Sequence, residues 1–196
     1  MSAPEVRPYG SWESPITADQ IASGAMGLSE IQTDGRDVYW LEMRPIEAGR
    51  SVVVRLRPGG VPEDCIPPGF NARTRVHEYG GGSCLVTEGT LYFSNFADQR
   101  VYRLRPGGAP EPITPIDGFR YADHIWDARR KRIICVREDH TKGGEPQNAI
   151  VALDGEASGP GEVLASGRDF YAAPRLGPDG TSLAWIEWSH PHMPWD

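Results

Sequence analysis

Residues 55–63 read Arg-Leu-Arg-Pro-Gly-Gly-Val-Pro-Glu, and 48 residues later, at 103–111, the chain writes them again with eight of nine positions unchanged. Pro-Gly-Gly closes a tight turn, so each copy is a strand, a turn and the beginning of another strand. One unit has been used twice.

The unit extends upstream. Residues 37–43 (Asp-Val-Tyr-Trp-Leu-Glu-Met) and 90–95 (Thr-Leu-Tyr-Phe-Ser-Asn) precede the two copies, each entered through an acidic residue and a glycine, Asp34-Gly35 and Glu88-Gly89. Weaker copies follow at 132–136 and 182–188, the latter entered through Asp179-Gly180. Residues 150–155 stand where the Arg-Leu-Arg-Pro-Gly-Gly run stood before. Aligning Tyr39, Tyr92, Ile133 and Leu183 gives steps of 53, 41 and 50 residues, the range of a four-stranded propeller blade at roughly 40 to 50. A helical solenoid would need an apolar stripe of period 3.6, and none is present. Glycine (23) and proline (18) make up about a fifth of the 196 residues, against a usual share of roughly 12%. They fall between short apolar runs, as an all-β chain requires. The fold class predicted is an incomplete β-propeller of about three and a half four-stranded blades, preceded by an amino-terminal arm and a short helix.

The blades are expected at about 28–67, 75–114, 120–166 and 169–196, the last incomplete, after a segment 1–27. Within that segment residues 1–15 form an extended arm, with Tyr9 and Trp12 as its anchors. Residues 17–20 (Thr-Ala-Asp-Gln) read as a capping box for a helix over about 18–23, with Ile16 and Ile21 as a hydrophobic staple and Gly24 as the stop. In the first blade, the strand from Val38 to Met43 carries bulk on both faces, as a strand sandwiched between neighbouring blades must. Arg55, Arg57, Arg103 and Arg105 are assigned to polar fourth strands at the exposed blade edge.

A net charge of -7 and a pI near 5.3 exclude a nucleic-acid surface, which needs a basic patch. The positive charges are 18 Arg and two Lys, Lys131 and Lys142. Cys65, Cys84 and Cys135 are far apart and form no C-x-x-C pair, so neither a disulfide framework nor a zinc site is indicated, and buried thiols are expected. Residues 1–30 lack a basic start and an apolar core of a leader, and no run reaches the roughly 20 apolar residues of a membrane span. A cytoplasmic protein without membrane partner or cofactor is expected.

Four stretches carry a resemblance: residues 9–17 (Tyr-Gly-Ser-Trp-Glu-Ser-Pro-Ile-Thr), 75–82 (Arg-Val-His-Glu-Tyr-Gly-Gly-Gly), 136–140 (Val-Arg-Glu-Asp-His) and 188–196 (Trp-Ser-His-Pro-His-Met-Pro-Trp-Asp). In this order, and over essentially the whole chain, they resemble the amino-terminal propeller of the prolyl oligopeptidase family of serine peptidases. Its bacterial dipeptidyl aminopeptidase and acylaminoacyl-peptidase-like branch is the most similar. The resemblance implies a seven- or eight-bladed propeller acting as a lid over a carboxy-terminal α/β-hydrolase domain with a Ser, Asp and His triad. That domain is absent from these residues, and the half-written fourth blade suits the front part of a longer protein. The nucleophile elbow G-x-S-x-G does not occur, since residues 81–85 end in Leu85, and Ser83 reads as a strand residue. The implied partners are a short peptide substrate and the chain's own hydrolase domain; no catalytic residue is assigned, and the chain is expected to be inactive alone.

The candidate substrate-facing or channel-facing residues are Arg75, His77, Glu78, Tyr79, Arg137, Glu138 and Asp139. The tract 77–82 is either a blade-to-blade crossover with a tight lead-in to residues 83–86 or a loop facing the channel or the hydrolase domain. In residues 137–140 a carboxylate at a strand end either holds a substrate's free amino group or pairs with a nearby arginine in a solvated hairpin. His190 and His192 flank a proline without a third ligand at a recognised spacing, so no metal site is expected. Trp188, Met193 and Trp195 read as packing residues and residues 129–132 as a solvated turn. Two other classes remain: a stand-alone TolB-like propeller binding a protein or peptide, and a sugar- or lactone-acting propeller with channel calcium, for which no carboxylate set repeats at blade spacing.

Overall fold

A computed structural model describes residues 5–116, 118–156 and 158–196. The first four residues of the expected arm and residue 157 of the expected third blade lie outside the described residues. Three four-stranded antiparallel sheets and one two-stranded sheet follow each other along the chain, each in simple meander order. The first holds β1 (Gly27–Asp34), β2 (Asp37–Arg44), β3 (Arg50–Leu56) and β4 (Glu63–Asp64); the second holds β5 (Cys84–Thr87), β6 (Thr90–Ser94), β7 (Val101–Leu104) and β8 (Glu111–Pro112). The third holds β9 (Phe119–Asp127), β10 (Arg132–Asp139), β11 (Gln147–Asp154) and β12 (Glu162–Ser166), and the fourth pairs β13 (Phe170–Leu176) with β14 (Leu183–Trp188). These are propeller blades, and among the described residues no helix is long and apolar enough to cross a membrane.

Each pair of neighbouring sheets encloses its own apolar core, and the second strands alternate between two of them. Leu91 and Phe93 on β6 face the first sheet while Tyr92 faces the third; Ile133 and Cys135 on β10 face the second sheet while Ile134 and Val136 face the fourth. Burying one such side chain contributes about 2 kcal/mol. The two-faced strand expected at Val38 to Met43 therefore exists at β6 and β10. On β2 only Tyr39 and Leu41 are buried; Val38, like Leu28 and Ile31 of β1, is exposed because no sheet packs on that side, and Met43 is exposed at the strand's end.

The repeated nonapeptide is the third strand, the turn and the fourth strand. Arg55 stands on β3 and Arg103 on β7, and Arg57 and Arg105 open the turns that follow; none is on the edge strand assigned to it. Arg55 lies across from Glu63 and Arg103 across from Glu111 in the strand register, at 3.2 and 2.8 Å. The repeat thus keeps a cross-strand ion pair together with the turn that brings its halves opposite. Gly60 N–H donates to Arg57 O and Gly108 N–H to Arg105 O, with φ of +72° at Gly59 and Gly107. This is a type II turn, whose third position takes glycine. Arg103 is buried and also donates to the Gly155 carbonyl at 2.7 Å and to Glu156 at 2.9 Å, tying the second sheet to the third.

The helix α1 (Ala18–Ser23) carries the expected capping box: Thr17 Oγ1 accepts from Gln20 N–H at 3.1 Å and Gln20 Oε1 from Thr17 N–H at 2.8 Å. Gly24 ends it in a right-handed conformation, φ -101°. The staple does not form: Ile16 and Ile21 are both exposed, because the helix lies beside the single 3-10 turn Pro45–Glu47 rather than on a core. Tyr9 and Trp12 do not anchor the arm either; both are exposed, and the Arg7 guanidinium lies 5.6 Å from the Trp12 ring. The three cysteines are free thiols, Cys84 and Cys135 buried and Cys65 half-buried, and burial pushes Cys65 up to about 11.

Candidate functional site

The crossover from β4 to β5 begins as an extended segment in which Ala72, Thr74 and Val76 are buried while Arg73 and Arg75 point outward. Its backbone is pinned at each step, Arg73 N–H to Ser94 O at 3.0 Å and Arg75 N–H to Gln99 Oε1 at 2.7 Å. The chain then turns through two non-glycine residues in the left-handed region, His77 (φ +56°) and Glu78 (φ +64°), a conformation that costs on the order of 1 kcal/mol each. The glycines that follow do different jobs. Gly80 has φ +94°, whereas a Cβ on Gly81 would stand 3.0 Å from both Ala122 Cβ and Asp123 Oδ1, and one on Gly82 3.2 Å from Asp123 Oδ1. The backbone lies against β9 where no side chain fits.

The strained turn is held from outside itself. Glu138 on β10, buried, accepts His77 N–H at 2.7 Å through Oε1 and His140 Nε2 at 3.0 Å through Oε2. The His77 ring, itself buried, donates from Nε2 to the Tyr171 carbonyl at 3.0 Å and sets Nδ1 3.5 Å from Glu138 Oε1, too long for a hydrogen bond. Arg120 reaches Glu78 at 2.7 Å and Glu138 at 3.7 Å, and donates to Arg75 O at 2.9 Å. Burial alone would raise the Glu138 carboxyl, but the hydrogen bonds from His77 and His140 outweigh it and hold it below its ordinary value.

The sequence candidates thus divide. His77 and Glu138 meet at the base of the turn; Glu78 and Tyr79 are its exposed tip, with Tyr79 72% exposed; Arg75 lies outward with its guanidinium 4.7 Å from the Phe96 ring. Arg137 alternates to the other side of β10, over Phe119 and donating to Pro160 O. Asp139 accepts from the Thr141 backbone and hydroxyl, closing its own hairpin. Sequence reasoning missed Arg120, His140 and the aromatic wall, in which Tyr79, Phe170 and Trp188 stand 5.4 to 5.6 Å from the His77 ring and Phe170 stacks on Trp188. Trp188 is a packing residue as expected; Met193 and Trp195 are exposed. His190 packs edge-on against Phe170 at 5.0 Å. The run 129–132 is more than a solvated turn, because Arg130 and Arg132 both close on the buried Asp127 at 3.1 Å.

All of this lies at one end of the sheets, where first strands begin and second strands end. Along the first strands runs a second set of carboxylates. Glu30, Asp123 and Ala173 each occupy a bulge at positive φ in β1, β9 and β13, where the added residue turns a side chain sideways. Glu30 accepts the N–H groups of Ser83 and Cys84, and Asp123 takes Gly82 N–H at 2.6 Å on one oxygen and Ala173 N–H at 2.8 Å on the other. Gln32 and Asp34 continue the pattern toward Val86 and Gly89. Positions 30, 83, 123 and 173 step with the blade period; only Glu30 and Asp123 among them are acidic, and both serve backbone amides. Ser83, one residue ahead of β5, belongs to this set: its hydroxyl donates to Glu30 and it is buried. Among the described residues no group of three or more His, Cys, Asp or Glu is placed to hold a metal ion.

These carboxylates line a cavity of about 260 Å³ with Cys84, His124 and Arg175. A larger cavity of about 700 Å³ lies away from it, between Lys131, Ala152 and Glu162 in the third sheet. The buried His124 ring, 3.5 Å from Ser94 Oγ, has its pKa pushed from 6.5 down to about 4 by burial, against the pull of Asp123. An unfolded chain takes that proton near 6.5 and the folded one refuses it until about 4. Stability therefore falls as pH drops through this window, by up to about 3 kcal/mol. Urea unfolding between pH 7 and 4 should show this slope, and His124→Gln should flatten it; equal slopes would remove His124 from the account.

No protein-family model matches the chain, and no curated protein does. Solved structures do. The chain is 42% identical to a puromycin-hydrolysing peptidase from Mycobacterium tuberculosis, over 98% of its own length and 32% of that protein's, with a TM-score of 0.84. It is 36% identical to a puromycin hydrolase, over 98% and 32% of the two chains at TM-score 0.83. A mutant of a puromycin hydrolase in complex with PGG matches at 36% identity and TM-score 0.83 over 96% and 32%. TolB from Acinetobacter baumannii, at 14% identity over 85% of this chain and 39% of its own and TM-score 0.57, shares the fold alone. The chain spans about a third of the length of the peptidases it matches.

Proposed function

For a chain that belongs to the prolyl oligopeptidase family of serine peptidases, as part of its β-propeller, we propose that the end carrying residues 75–82 faces the peptide substrate and limits access to short peptides. Bond breaking is assigned to a Ser, Asp and His triad in a carboxy-terminal α/β-hydrolase domain. There the serine attacks the peptide carbonyl, an acyl-enzyme forms and water releases it. The propeller's share is selection. Glu78 and Tyr79 contact the substrate's amino-terminal side and Arg75 faces the substrate beside them; His77 and Glu138 are positioning residues that keep the tip rigid, and Arg137 and Asp139 form the rim.

The observation that carries this reading is the 42% identity across 98% of the chain to a peptidase of which it makes up a third. The site adds support, since the buried Glu138 holds His77, the first of two left-handed residues, and Arg120 holds Glu78, the second, so that Glu78 and Tyr79 are presented on one end of the sheets. In the full-length polypeptide, Tyr79→Ala or Glu78→Ala should raise KM for aminoacyl chromogenic substrates on the order of 5-fold with kcat little changed, the mark of lost ground-state binding. Residues 1–196 alone should not hydrolyse these substrates. Turnover by the isolated fragment, or unchanged KM in both variants, would overturn the proposal.

A further inference from the structure

We propose that Arg73 and Arg75, both set against Phe96, bind the free carboxylate of a short peptide's carboxy terminus. The two guanidinium carbons stand 5.0 and 4.7 Å from the centre of the one ring. Residues two apart in an extended segment project to the same side, and here both project to solvent while Ala72, Thr74 and Val76 face in. The ring is fixed as firmly as the arginines. Phe96 N–H donates to Asn71 O at 2.8 Å, and Gln99, which accepts from Arg75 N–H, also donates to Phe96 O at 2.8 Å.

In a chain of net charge -7, Arg44, Arg50, Arg55, Arg103 and Arg132 all close on carboxylates. Neither Arg73 nor Arg75 forms an ion pair among the described residues. Arg100 and Arg137 also lie over rings without an ion pair among the described residues; what sets Arg73 and Arg75 apart is that two exposed guanidiniums share one ring. Stacking on an aromatic face leaves the N–H edge of a guanidinium free, and that edge matches a carboxylate with two parallel hydrogen bonds. Two such forks, held by pinned backbone, lose little side-chain entropy on binding. The inference rests on the proposed function, because Arg75 leads directly into the tip carrying Glu78. A carboxylate on that tip and an arginine pair beside it would engage the two oppositely charged ends of one short peptide, and so measure its length.

The probes are trialanine and trialanine carboxamide, titrated by calorimetry into the full-length polypeptide, with chromogenic turnover followed separately. The free acid should bind about 10-fold more tightly than the amide, the preference should shrink as salt rises, and it should vanish in Arg73→Gln/Arg75→Gln. Arg75→Lys, which keeps the charge and loses the planar fork, should retain only part of it. Circular dichroism checks that the variants fold, as substitution of exposed side chains predicts. Equal binding of acid and amide by the wild type, or an unchanged preference in the double variant, overturns the inference. Absence of turnover with the acid preference intact instead overturns the peptidase reading and leaves the carboxylate site standing.

Discussion

Asp123→Ala should lower the unfolding free energy by about 4 kcal/mol, a loss to be read by urea denaturation at neutral pH. The carboxylate accepts Gly82 N–H at 2.6 Å and Ala173 N–H at 2.8 Å, and hydrogen bonds to a charged group contribute about 1.5 to 3 kcal/mol each. Asp123 also sits at φ +58°, a region that aspartate tolerates better than alanine does. Three sheets meet at this side chain, so the loss is felt at two interfaces at once. Asp123→Asn keeps one acceptor and turns an amide N–H₂ toward the other donor, and should lose roughly half as much. A loss below about 1 kcal/mol in the alanine variant would mean that the apolar cores alone hold the sheets together.

Glu138→Leu is expected to cost about 3 to 5 kcal/mol, the range for breaking a buried charged pair by removing one partner. It strips the acceptor from His77 N–H and His140 and leaves Arg120 facing an apolar group. The two left-handed residues then have less to hold them, so amide exchange at His77 and Glu78 should accelerate more than in the sheet cores. pH gives an independent check. Because the folded carboxyl lies below its ordinary value of 4.5, the stability it contributes is complete above that value and drains away as pH falls through the depressed folded one. Glu138→Gln should lack this part of the acid limb. An alternative in which Glu138 is a bystander predicts wild-type exchange at His77 and an identical acid limb.

The blade period was legible because turns are written in glycine and proline, and 59–60 and 107–108 need those residues wherever the turn occurs. Strand position was not. A charge in a strand ordinarily belongs at an exposed edge, and only the register reveals that Arg55 and Arg103 each face a glutamate eight residues on. Ile133 is one residue out of step with Tyr39 and Tyr92, because Ile134 is the residue on β10 that faces the following sheet as they do. A period-2 pattern with apolar residues on both faces carries no sign of which face is which. Three glycines in a row permit a close approach to the backbone at 80–82, and one occurs there. What approached, Ala122 and Asp123 from some 40 residues away, could not be read from the tract. The same holds for Glu30 and Asp123: bulges make them equivalent, and a bulge adds a residue without marking it in the sequence.

The joint between successive sheets asks little of the newcomer. Glu30 and Asp123 grip the main chain of the sheet that follows, and a main-chain N–H is common property of every residue except proline. At the joints where Glu30 or Asp123 stands on a bulge, the sheet that follows needs no particular side chain at the bonded positions. Those positions are free to drift in sequence while the joint keeps its geometry.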